Sequence, residues 1–105
     1  MVENVIPLKE AQNWAKIYRE KNPNSVIAYL VPGIDFTQLL KEKNVVNIRA
    51  YVGIDPKNGL QKLMLVGVDE LGNDLINPEN GQFIYDFSKP CPDECAVNSP
   101  LFTLK

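Results

Sequence analysis

Two loops built alike, Asp55-Pro56-Lys57-Asn58-Gly59 and Asn77-Pro78-Glu79-Asn80-Gly81, constrain the fold of this chain more than any other feature. In each, an Asp or Asn side chain can hold the turn, proline presets φ at the first turn position, and glycine takes the left-handed one. The residues before the first loop alternate. Val46, Ile48, Ala50, Val52 and Ile54 point one way, and Asn47, Arg49, Tyr51 and Gly53 point the other. Strands over 46–54 and 60–68 follow. A four-residue loop sets Asp55 against Leu60, so Leu63 and Leu65 join the aliphatic face while Lys62, Met64, Val66 and Val68 join the mixed one. The second loop separates shorter strands at 73–77 and 82–87, with Leu71-Gly72-Asn73 turning between the pairs. The result is an antiparallel meander.

Upstream the apolar period is helical. Leu8, Ala11, Ala15 and Tyr18, widened by Trp14 and Ile17, predict a helix over 8–21 that starts after Pro7 and stops at Asn22-Pro23. Trp14 on that stripe is expected in the core. Val26 to Val31, bounded by Pro32-Gly33, predicts a short buried strand at 26–31. Asp35 followed by Gln38 has the spacing of a capping box, with Ile34 and Leu39 as its staple, and predicts a second helix over 36–43. These elements make one α+β domain spanning 1–105: two N-terminal helices packed on a mainly antiparallel β-meander sheet, with the proline- and cysteine-containing tail, 88–105, folded back on the sheet.

Composition narrows the function by exclusion. A net charge of −2 with scattered Lys and Arg lacks the basic footprint of a nucleic-acid binder. No apolar run is long enough to span a bilayer. Residues 1–6 lack the basic and long apolar regions of a secretory leader, which makes the cytoplasm the expected compartment. With no histidine, the chain cannot by itself build a His-activated nucleophile or a His-ligated zinc site. Catalysis would have to run on carboxylates, Lys, Tyr, Cys or a cofactor, so a non-enzymatic role is favoured and no cofactor is expected.

Three places carry candidate chemistry. Arg49, Tyr51 and Lys62 lie among aliphatic residues on the mixed sheet face, which suits an anionic or planar partner; the alternative is a face covered by Leu101, Phe102 and Leu104 of the tail or by self-association. The acidic stretch Asp69, Glu70, Asn73 and Asp74 does not match a calcium loop and reads as a solvated turn. Cys91 and Cys95 stand four apart, a spacing that on a helical turn would put both sulfurs on one face. Two reduced packing cysteines, a disulfide, and a metal or redox site all remain open, in that order. Zinc would find only two thiolates here and would need further donors.

Pro90-Cys91-Pro92-x-x-Cys95 followed by Asn98-Ser99-Pro100-Leu101, downstream of Val66-Gly67-Val68-Asp69 and Gly72-Asn73-Asp74, resembles the pattern of a group of short, uncharacterised bacterial proteins that end in a similar tail. The resemblance implies that the tail belongs to the domain, and it implies no activity. The expected function is a small cytoplasmic binding or regulatory module with a protein partner or a second copy of itself as a homodimer. Its rivals are a thiol-based metal or redox site at Cys91 and Cys95, and a histidine-free enzyme working from the face of Arg49, Tyr51 and Lys62.

Overall fold

The computed structural model describes residues 3–86, 89–92 and 95–105 and has the expected α+β class, with helices and antiparallel sheets. Helix α1, Leu8–Lys21, has the predicted bounds. Pro7 stands at its N-cap, and Asn22 closes it by donating both its backbone N–H and its side-chain amide to the Tyr18 carbonyl, at 2.9 and 3.1 Å. Strand β1 is Ala28–Leu30 and helix α2 is Gly33–Lys41.

Helix α2 starts earlier than expected. Pro32 occupies the N-cap, no side chain caps the helix, and Asp35 sits inside the first turn with its carboxylate fully buried. Leu39 explains the shift. It is the fully buried anchor of α2, and residues three or four positions away share its face, so Asp35 at i−4 is carried inward with it. Neither Asp35 oxygen has a hydrogen-bond partner among the described residues.

Strands β2, Asn47–Ile54, and β3, Gln61–Val68, pair antiparallel in the expected register, from Asn47 opposite Val68 to Ile54 opposite Gln61. The loop between them forms as its residues dictate. The Asp55 N–H donates to the Leu60 carbonyl at 2.9 Å, the Asp55 carboxylate accepts from the Lys57 N–H at 2.9 Å, and Gly59 takes φ +71°.

The second half of the meander differs from expectation. The strand expected at 73–77 shrinks to β4, Asp74–Leu75, and among the described residues that expected at 82–87 is represented by a bridge between Tyr85 and Leu65; Phe87 lies outside the described residues. Both segments compete for the one edge of β3 that β2 leaves open, β4 taking Gly67 and Val68 and Tyr85 taking Leu65. The Asn77–Gly81 loop still closes, through the Asn77 side chain and a positive φ at Gly81. Beyond it, however, the Gln82 side chain donates to the Lys43 carbonyl at 3.1 Å and the Phe83 N–H reaches Glu42 Oε2 at 3.4 Å. These bonds draw the segment toward the end of α2 and away from β4.

The tail supplies β5, Lys89–Cys91, which pairs antiparallel with β1 in a separate two-stranded sheet, and a short helix α3, Pro100–Thr103. Arg19 of α1 donates to the carbonyls of Leu101 and Phe102, and Gln12 to that of Pro100. Leu101 and Phe102 thereby pack beside α1, where with Ala15, Ile27 and Cys91 they line a cavity of about 320 Å³.

Helix α2 lies against one face of the larger sheet, in contact with both β2 and β3. Tyr85, which shares that face with Leu65, donates its hydroxyl to Glu42 Oε2 at 2.6 Å, and Val45 packs so closely on Gly67 that a Cβ there would overlap it. The buried apolar residues among those described are few: Val26, Leu39, Leu65, Val66, Val68 and Cys91. No α1 side chain is among them, and Trp14, expected in the core, is 56% exposed. The molecule is a plate of 46 × 44 × 22 Å with a radius of gyration of 15.9 Å, where a compact chain of this length has about 13 Å. Its accessible surface is 7877 Å², against about 5,900 Å² for an ordinary folded monomer of its mass.

Candidate functional site

The register places Arg49 opposite Val66, Tyr51 opposite Met64, and Asp74 opposite Val68, all on one face of the sheet. Their polar ends meet. Asp74 accepts from Arg49 through one carboxylate oxygen and from the Tyr51 hydroxyl through the other, and Arg49 also reaches the Gly72 carbonyl at 3.3 Å. Its hydrogen bond to Asp74, with the carboxylate's charge, holds the Arg49 guanidinium above its usual range, and the separate hydrogen bond from the Tyr51 hydroxyl to Asp74 is the chief reason that phenol is raised. The trio ties β2 to β4 across β3 and compensates the arginine charge internally. A charge already matched offers little to an incoming anion.

Lys62 shares the face but stands apart, opposite Gly53, with its ammonium 3.3 Å from Asp86. A shallow recess of about 380 Å³ beside it is lined by Ile54, Asp55, Lys57, Met64, Ile84 and Asp86 among others, and neither Arg49 nor Tyr51 lines it. The structure therefore joins two of the three candidate residues to each other and leaves the third in a separate ion pair.

Asp74, expected in a solvated turn, is the third member of the cluster. Its signal was its place: one residue after the Leu71-Gly72-Asn73 turn, it returns to the sheet beside Val68. Asp69 does serve the turn, accepting from the N–H groups of Leu71 and Asn73 at 3.0 and 2.9 Å, bonds that lower its pKa, with the Asn73 backbone the largest cause.

Cys91 and Cys95 form a disulfide with their Cα atoms 4.8 Å apart. Cys91 is buried and ends β5 opposite Ala28, so the pair does not sit on a helical turn, and the Cys91–Pro92 peptide is cis. Bonded to each other, the sulfurs present no thiolate to a metal or to an electrophile. Among the described residues no group of three or more Cys, Asp or Glu side chains is placed to hold a metal ion.

The other face of the sheet carries the feature that composition concealed. Ile48, Ala50, Val52 and Ile54 lie there with Leu63 and Leu65; only Leu65 is buried, whereas Val52 is 62% and Ile54 71% exposed. The strand that bears them is the outermost of its sheet, in the order β2-β3-β4. The row is thus covered at Leu65 and open toward Val52 and Ile54, and it lies on an edge strand.

The chain is thus an α+β domain with a self-compensated polar cluster on one sheet face and an open apolar row on the other. It matches no family model, no curated protein and no solved structure.

Proposed function

We propose that the chain is a small non-enzymatic binding module whose apolar sheet face and edge are occupied by another polypeptide when it works. One observation carries this reading: the chain has about 2,000 Å² more accessible surface than a folded monomer of its mass. A standard interface removes about 800 Å² from each partner, so the surplus is large enough to supply one. The closed cluster of Arg49, Tyr51 and Asp74 supports the same direction, since those side chains are spent on holding strands together.

The partner is a protein, in preference to a nucleic acid or a membrane. The net charge is negative, and no helix among the described residues is long and apolar enough to cross a membrane. The compartment follows the redox state of the cysteine pair: a bonded Cys91–Cys95 favours an oxidising environment over the cytoplasmic one expected from the sequence. A photo-crosslinking residue at Ile54, introduced in cells, should give adducts of discrete mass, while the same residue at the exposed loop position Lys57 should not. No adduct from Ile54 would contradict the reading.

A further inference from the structure

We propose that the occupant of this edge is a second copy of the chain, with β2 pairing antiparallel to β2 of its partner about a two-fold axis to give one continuous six-stranded sheet. The inference rests on the binding-module reading and names the partner.

The hydrogen-bonding phase of β2 is fixed from two sides. Asp55 donates to the Leu60 carbonyl, and Leu65 exchanges both its backbone bonds with Tyr85 on the far edge of β3, each at 2.9 Å. In an antiparallel ladder inward and outward groups alternate. The odd-numbered residues of β2 therefore bond to β3, and Ile48, Ala50, Val52 and Ile54 direct their N–H and C=O groups outward. Among the described residues no loop or side chain donates to or accepts from those groups.

Edges of this kind are normally defended by brevity, lysine, proline, a bulge or a covering segment. This one is eight residues long, NIRAYVGI, with an unbroken register and no lysine or proline. Its single charge, Arg49, is on the opposite face and matched by Asp74.

The strand is also its own complement. Antiparallel pairing through outward groups requires even-numbered residues to face even-numbered residues, so every outward donor meets an outward acceptor. The same rotation sets the aliphatic row beside its copy. Ile48, Ala50, Val52 and Ile54 of the two chains then form one strip with no charged side chain in it, while the Arg49–Asp74 clasps fall on the other side of the sheet. Six strands is an ordinary sheet size, and the surplus surface exceeds the roughly 800 Å² that a standard interface removes from each partner.

Residue-resolved amide hydrogen exchange on the intact, oxidised chain tests the pairing directly. The outward amides of Ala50 and Val52 should be protected to the same degree as the inward amides of Arg49 and Tyr51, in a species of twice the chain mass. Ala50→Pro removes an outward N–H and no inward ladder bond; it should keep the fold and raise the dimer dissociation constant at least roughly tenfold. A dimer whose Ala50 and Val52 amides exchange freely, or a monomer whose Ile54 crosslinks are to another protein, would overturn the pairing and leave the binding-module reading in place. A monomer with no adduct at Ile54 would overturn both.

Discussion

The Tyr85 hydroxyl donates to Glu42 at the point where the chain returns to β3, and its ionisation is pushed up to about 12, first by burial, then by that hydrogen bond, then by the nearby charges of Glu42 and Asp35. A tyrosine raised in the folded state stabilises the fold fully below its ordinary value near 10 and loses that contribution as pH rises through 12. Stability measured by urea denaturation should therefore fall between pH 10 and about 12. Tyr85→Phe should shrink that fall, and should lower stability at neutral pH by ~1–2 kcal/mol because Glu42 loses the closer of its two donors and keeps only the longer bond from the Phe83 N–H. An unchanged alkaline decline in the variant would show that other groups, such as the raised Tyr29 and Tyr51, set it. At this scale the sequence was partly legible. Alternation and one loop length placed Arg49, Tyr51 and Lys62 on a common face, but the partner of each polar end depended on where Asp74 and Asp86 return to the sheet. Both sit on segments whose pairing lies outside local pattern.

Among the elements, those specified by their own residues matched expectation and those specified by competition did not. Helix α1 has its stop in Asn22-Pro23, and the β2–β3 register has its origin in Asp55-Pro56-Lys57-Asn58-Gly59, so both could be read locally. The expected strands at 73–77 and 82–87 failed as a hairpin because a single edge of β3 was open to both and Gln82 found a partner on the α2 side. The Asp35 cap was overridden by the burial of Leu39, which sets the phase of α2. The loop that fixes the register has a measurable weak point. Gly59 takes φ +71° with nothing within 4 Å of the position a Cβ would occupy, so Gly59→Ala meets no clash and its cost is conformational. It should destabilise the chain by about 1 kcal/mol in urea denaturation. No loss would mean the loop can take another conformation without disturbing the β2–β3 pairing.

For the whole molecule, composition predicts an ordinary α+β domain, and the class is as expected. What composition does not carry is the side of the surface on which each apolar residue falls. Trp14, Val52 and Ile54 fit a core by pattern, yet they are exposed in a plate only 22 Å thick. Apolar surface of this extent is what the proposed interface would cover. The tail follows the same logic within the molecule: through β5, the Cys91–Cys95 link and the Arg19 bonds, it closes the β1 side and leaves the β2 edge free. The most direct measurement is the molar mass of the purified chain by sedimentation equilibrium over a dilution series. The expected species is a reversible dimer, at twice 11.8 kDa, that Ala50→Pro converts to monomer. A wild-type chain that remains at 11.8 kDa up to its solubility limit would contradict it.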